Sequence, residues 1–301
     1  MTSEQIVKQA RKLSFKFRVE HGDAFHMDEV HPESTDGFKS DDKDRAEDML
    51  QEGHSVLSDL QGRLYAAKRW GVSGQFYGPD SAGKDGVITH SLAGVNPQGI
   101  DVNSFVVPTE EELEHDFMWR SLRVMPRRGR IGISNRGYYE EVFVVRVHPE
   151  ILRKQKLPPS LVTDHIWDER FRDIRTVEKY LHRNGYVMLK FLLVISKEEQ
   201  RKRLLARVDN PDRNWKFSGA DLRERAFFKE YLKVYEDAVR NTASPWAPWY
   251  VVPANHKWFA RLVVQSAFIA ELSALNLEYP KLDPEKEREL AAARLELSKK
   301  R

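Results

Sequence analysis

From Asp42 to about Lys68 the apolar residues Ala46, Met49, Leu50, Val56, Leu57, Leu60 and Leu64 recur at mostly helical spacing, which predicts one long amphipathic helix. The segment before it, residues 1 to about 42, is polar, rich in Asp, His and Gly, and weakly periodic, so it reads as an arm lying on the domain surface. Beyond the helix, short β-rich runs alternate with helical stretches: GVSGQFY, NSFVV, RIGIS, VFVVRV, VMLKFLLVIS and WYVV. Alternation of this kind predicts an α/β fold with a parallel sheet covered on both faces by helices. Helices are expected over 84–94, 109–124, 168–184, 197–208, 219–241 and 255–277, several opening on Thr, Asp or Ser caps. The tail carries a capping Asp283, Pro284 at the first helical position and dense alternating charge. The expected partition is an N-terminal arm (1–42), one domain (43–280) with a lid at about 197–220, and a charged C-terminal helix (281–301).

Composition narrows the function classes. A chain of 301 residues with 41% hydrophobic content can bury a large core. Its 49 basic and 46 acidic side chains leave a net charge of +3, so no whole-molecule field points to nucleic acid or membrane, and any polyanion site must be a local patch. The absence of cysteine excludes disulfides, thiolate metal sites and cysteine nucleophiles, and suits a reducing cytoplasm. The N-terminal residues do not read as a secretion signal, and no uncharged apolar run approaches the roughly 18 residues a membrane span needs.

The sharpest motif is GPDSAGKD, from Gly78 to Asp85, which follows an expected strand, opens an expected helix and fits G-x-x-x-x-G-K. In such a loop Gly78, Ser81, Ala82, Gly83 and Asp85 present backbone to phosphate oxygens, and Lys84 adds a mobile positive charge. Asp85 stands where the usual P-loop has a Ser or Thr hydroxyl for magnesium, which leaves Asp80 as the nearest hard oxygen ligand. A second element, RIGISNRGYYEE, ends a β-run in Asn135 and Arg136, the place where α/β sheets carry their ligand-facing residues. A third, SKEEQRKRLLARVDNPDRNWKFS, puts Arg203 and Arg207 on one helix face with Lys216 in the polar loop beyond. Alone, these stretches equally describe a Gly-rich turn, a capped strand end and a solvated basic face. Together they describe a phosphate cradle under a basic lid.

Several long strings resemble the polyphosphate kinase 2 family in order and spacing: GKDGVITHSLAGVNPQG, PTEEELEHDFMWR, IGISNRGYYEEVFVVRVHPEIL, NPDRNWKFS and NHKWFARLVV. The resemblance spans roughly residues 15–278. It implies a thymidylate-kinase-like, three-layer P-loop kinase fold with a helical lid, assembled as a homo-oligomer, either dimer or tetramer. It also implies Mg2+, with Mn2+ as the alternative, and transfer of a phosphoryl group between inorganic polyphosphate and AMP or ADP, or the reverse from ATP, without a covalent enzyme intermediate. Asn135 with Glu140 is similar to the class that accepts both AMP and ADP. Lys84 and Gly83 match the phosphate-gripping loop, and Asp80 the carboxylate that works with magnesium. Arg136 matches the arginine after the second motif, Arg120 a basic residue near the acceptor, and Arg203, Arg207 and Lys216 the phosphate contacts of the lid.

The chain departs from that pattern close to the chemistry. The strand before the loop contains Ser73, Gly74 and Gln75 where an unbroken apolar run is expected, and each polar group left unpaired there would cost about 1–3 kcal/mol. Pro79 removes a backbone donor from the loop. Ser134, Gly137, Val106 and Asn255 replace an apolar residue, serine, lysine and aspartate. These departures predict altered turnover before a lost fold, and keep open a binding or regulatory homologue, or a P-loop kinase using ATP and a small acceptor.

Overall fold

The computed structural model describes residues 1–39 and 42–299; the ends of the expected arm and tail, at 40–41 and 300–301, lie outside the described residues. Six strands form one sheet: β1 (Arg18–Val19), β2 (Gly71–Tyr77), β3 (Ile100–Ser104), β4 (Ile131–Asn135), β5 (Tyr186–Val194) and β6 (Trp249–Pro253). Their order is β1-β6-β5-β2-β4-β3, parallel throughout except for the antiparallel β1 edge. The helices are α1 (Ser3–Phe15), α2 (Lys43–Ala67), α3 (Lys84–Ser91), α4 (Glu110–Leu113), α5 (Trp119–Arg123), α6 (Glu140–Val147) and α7 (Pro149–Leu152). They continue with α8 (Ile166–Arg183), α9 (Lys197–Val208), α10 (Gly219–Ala226), α11 (Phe228–Thr242), α12 (Lys257–Ala274) and α13 (Pro284–Leu297).

The sheet is covered on both faces, giving three layers. One core joins α1, α2, α3 and α12 to the sheet through residues such as Leu57, Val87, Leu262 and Phe268. The other joins α6, α8 and α11 through Tyr139, Phe143, Ile174 and Val239. Because β2 is central and buried along its whole length, the loop that follows it emerges at the carboxyl edge between β4 and β5, where ligands of open α/β sheets bind.

The polar strand is accommodated by specific contacts. The Phe268 ring fills the space beside Gly74, where a Cβ would lie 2.6 Å from its Cζ. Gln75 is buried with its amide oxygen accepting a hydrogen bond from the Tyr77 hydroxyl at 2.6 Å, so the expected unpaired-amide cost does not arise at that oxygen.

Elsewhere the structure corrects the reading of local pattern. VFVVRV, expected as a strand, is helix α6, where Val142, Phe143 and Val145 are buried and Phe143 meets Tyr235 edge-on at 4.7 Å; packing overrides β-branched propensity. The β-run at NSFVV begins and ends earlier, as β3, and Val106 and Val107 lie outside it at 79% and 85% exposure. The N-terminal segment contains α1, capped by Thr2, which buries Ile6, Ala10 and Leu13 against α12 and α2. The expected helices at 109–124 and 219–241 are each broken in two, the second at Phe227. No described helix is long and apolar enough to cross a membrane.

Candidate active site

The loop from Gly78 to Gly83 turns sharply between β2 and α3, with φ of +136° at Gly78, +64° at Ser81 and +98° at Gly83. The turn brings Lys84 back over its own loop, where the ammonium donates to the Gly78 carbonyl at 2.8 Å and the Pro79 carbonyl at 3.3 Å. The ammonium is nearly buried, and burial, aided by the Arg136 charge, lowers its pKa to about 8 against the pull of Asp80, Glu140 and Asp85. Pro79 thus lacks a donor but supplies an acceptor to Lys84 and, at 3.0 Å, to the Ala82 N–H. Past the loop, the opening N–H groups of α3 have no intrahelical partner, as at any helix start, and are available to an anion.

A second loop meets the first. At the end of β4, Arg136 adopts a left-handed backbone, φ +72°, and its N–H bonds the Phe76 carbonyl at 3.0 Å. The guanidinium then faces two carboxylates: Asp80 Oδ1 at 2.8 Å and Glu140 Oε2 at 3.4 Å. Glu140 and then Asp80 hold Arg136 still more firmly protonated, while burial raises the Glu140 carboxyl against Arg136 and Lys84. Asn135 donates to Asp85 Oδ1 at 2.6 Å, so the residue at the usual hydroxyl position is joined to the end of β4. Asp80, Arg136 and Glu140, separated by up to 60 positions in the chain, line one cleft with Tyr231 and Tyr235 of α11; Lys84 folds onto Gly78 and Pro79 at its rim, and Asn135 precedes Arg136.

The basic helix α9 closes one side, with its two arginines differently engaged. Arg203 donates to the carbonyls of Ser81, Ala82, Ala254 and Asn255 at 2.6–3.1 Å and pairs with Glu199, so it ties the loop to the β6–α12 connection. Arg207 bonds the Ser81 hydroxyl at 2.8 Å and Asp221 at 3.2 Å. Lys216 ends a single 3-10 turn, Asn214–Lys216, but its side chain lies outside the described residues. Arg120 is held by the Val106 carbonyl at 2.9 Å, by Glu112 and by the Phe105 ring, and its charge pulls weakly against the burial that raises the Glu140 carboxyl.

The sequence model of the family described as "Polyphosphate kinase 2 (PPK2)" matches residues 39–280. The chain belongs to the polyphosphate kinase 2 family. An "ADP-polyphosphate phosphotransferase" of Rhodopseudomonas palustris is 45% identical over 285 residues, covering 94% of this chain and 98% of that one. An "AMP/ADP-polyphosphate phosphotransferase" of Meiothermus ruber is 40% identical over 265 residues, covering 88% and 95%. A crystal structure of polyphosphate kinase 2 from Arthrobacter aurescens TC1 superposes with a TM-score of 0.84 at 35% identity, covering 93% of this chain and 96% of that one. The fold is therefore the P-loop kinase fold of the polyphosphate kinase 2 family.

Gln200 and Lys257, which motif reading passed over, and Asn255, which it marked only as a departure, surround the loop and α9. Gln200 donates to the Asp80 carbonyl at 3.2 Å, and Asn255 bonds both the N–H and the hydroxyl of Ser196, anchoring the start of α9. Lys257 has a lowered pKa, first through burial and then through Arg203 and Arg213, which marks a crowded positive patch in a chain of nearly balanced charge. The signal for Lys257 was its place just past β6, at the same carboxyl edge as the P-loop.

Among the described residues no three His, Asp or Glu gather into a metal cage. A polyphosphate kinase 2 site needs none for a hard divalent cation, which takes one or two carboxylates and completes its shell with water and substrate phosphate oxygens. Asp80 and Glu140, two oxygen donors converging on one guanidinium beside the loop, fit that requirement.

Proposed function

We propose that the chain transfers a phosphoryl group between inorganic polyphosphate and AMP or ADP, forming or consuming ADP and ATP. The observation that carries this reading is the convergence of Lys84, Arg136, Asp80 and Glu140 on one cleft, in a chain similar over nearly its whole length to phosphotransferases named for those substrates.

In this reading Lys84 and the α3 N–H groups hold phosphate oxygens in line, and Arg136 neutralises charge as it spreads over the transferring group. Asp80, with Glu140, would hold Mg2+, or Mn2+ in its place. When bound, the ion screens negative charge between neighbouring phosphates. Glu140 and Asn135 would take part in the choice between AMP and ADP, Arg120 would serve the acceptor, and Gly78, Ser81, Ala82, Gly83 and Asp85 would shape the cradle. Arg203, Arg207 and Lys216 belong to the lid side, which with Lys257 offers a polyanion a positive path. The reaction breaks one phosphoanhydride P–O bond and makes another from an acceptor phosphate oxygen, so no enzyme group need be phosphorylated.

Two of the departures are accommodated by the fold, Gln75 by its bond from Tyr77 and Asn255 by its anchoring of Ser196, and so do not count against an active enzyme. The corresponding assay supplies polyphosphate, AMP or ADP and Mg2+, and reads nucleotide products beside a Lys84→Ala control. Product dependent on polyphosphate and lost in the control supports the reading; product from ATP and a small acceptor alone would replace it. We further propose a cytoplasmic homo-oligomer, dimer or tetramer, testable by light scattering on the purified chain.

A further inference from the structure

Behind the catalytic turn lies a polar cluster that the chemistry above does not use. Lys190 of β5 and Glu178 of α8 are both fully buried and paired at 2.8 Å. The three ammonium donors are spent on Glu178 Oε2, the Tyr139 hydroxyl at 2.9 Å and the Thr242 carbonyl at 3.1 Å. Glu178 Oε1 accepts from the hydroxyls of both Tyr138 and Tyr139, each at 2.9 Å. The ammonium also lies over the Tyr139 and Trp249 rings at 5.2 and 5.0 Å.

A buried ion pair of this kind adds little stability over well-packed apolar residues, so stability is a poor account of it. Its placement is more informative. Tyr138 and Tyr139 fill the interval between Arg136, with its left-handed backbone, and Glu140, which opens α6. Left-handed backbone at a non-glycine residue persists only where its surroundings over-determine it. Here two hydroxyls fixed on one carboxylate, and a third tyrosine, Tyr77, whose hydroxyl sits 2.7 Å from where a Gly137 Cβ would be, hold the turn from behind.

We propose that Glu178 and Lys190 are positioning residues, acting through the hydroxyls of Tyr138 and Tyr139 to fix Arg136 and Glu140 against the P-loop. The kinetic half of this inference rests on the phosphotransfer reading; the structural half does not. Breaking the ion pair itself risks an unfolded chain, so the test uses Tyr138→Phe and Tyr139→Phe, alone and combined, each deleting one hydroxyl. In the combined variant kcat is expected to fall about tenfold with KM for nucleotide within about twofold, as for a displaced catalytic group. The loss should shrink in a Glu140→Gln background to the part carried by Arg136, and amide hydrogen exchange should rise selectively over residues 136–147. Unchanged exchange in that segment, or a kcat loss equally large with and without Glu140, overturns the proposal. A wild-type chain without polyphosphate-driven transfer would instead overturn the activity reading, and the exchange result would then decide this proposal alone.

Discussion

Arg136 donates to Asp80 Oδ1 at 2.8 Å, joining the loop after β2 to the turn after β4 across the mouth of the site. The contact has Asp80 orienting the guanidinium, and in the proposed reading the same carboxylate offers an oxygen to a divalent ion. Asp80→Asn keeps an oxygen of similar size but loses the charge. It should lower kcat/KM roughly a hundredfold, in the range seen when one transition-state contact is removed. It should also raise the Mg2+ concentration needed for half-maximal rate. A variant with an unchanged Mg2+ requirement would restrict Asp80 to the guanidinium.

The Lys84 ammonium, lowered to about 8 chiefly by burial, sets a pH dependence of definite sign. Below that value the group is charged and meets a phosphate directly. Above it the protein must take up a proton to bind, so affinity for polyphosphate should fall by up to roughly tenfold per pH unit. Lys84→Arg stays charged throughout and should flatten the profile while lowering the rate. Titrating polyphosphate binding between pH 7 and 9.5 checks both, and a flat wild-type curve would count against the assignment.

Gly137 and Tyr77 belong together. A Cβ at position 137 would lie 2.7 Å from the Tyr77 hydroxyl, which is held in place by Gln75. Gly137→Ser should therefore destabilise the chain by about 1–3 kcal/mol, as overpacking does. Adding Tyr77→Phe removes the obstructing oxygen but also the donor to Gln75, so the combined loss should be smaller than the sum of the two single losses. Urea unfolding of the two single variants and the double variant measures the coupling.

That pair also marks how far the sequence could be read. The P-loop was legible because its chemistry constrains backbone, and only Gly and Lys at fixed spacing satisfy it. The Gln75–Tyr77 bond was within reach too, since residues two apart on a strand share a face, yet Gln75 read as an unsatisfied polar group. Helix α6 was misread because Val142 to Val147 carry strand propensity, and only the packing of Phe143 on Tyr235 decides otherwise. The left-handed Arg136 and the Lys190–Glu178 pair were not legible. Nothing local demands a positive φ of arginine, and a single Lys or Glu in an apolar context carries no sign of its distant partner.

The two arginines of α9, neighbours on one helix face, are expected to separate by experiment. Arg203 gives its donors to four main-chain carbonyls and Glu199, so the guanidinium is already committed to joining the P-loop, α9 and the β6–α12 connection. Arg203→Ala strands those carbonyls and should cost about 3 kcal/mol of stability, charged hydrogen bonds being worth about half that or more each. Among the described residues Arg207 hydrogen-bonds the Ser81 hydroxyl and Asp221, both side-chain partners that a phosphate oxygen can displace. Arg207→Ala should leave stability within about 1 kcal/mol, as for a partly exposed ion pair. It should instead raise KM for polyphosphate and lower kcat by roughly tenfold or more. Thermal unfolding and steady-state kinetics on both variants distinguish the roles. Equal stability losses would place Arg207 with Arg203 in the scaffold, and leave the phosphate contacts of this side to Lys257 and its neighbours.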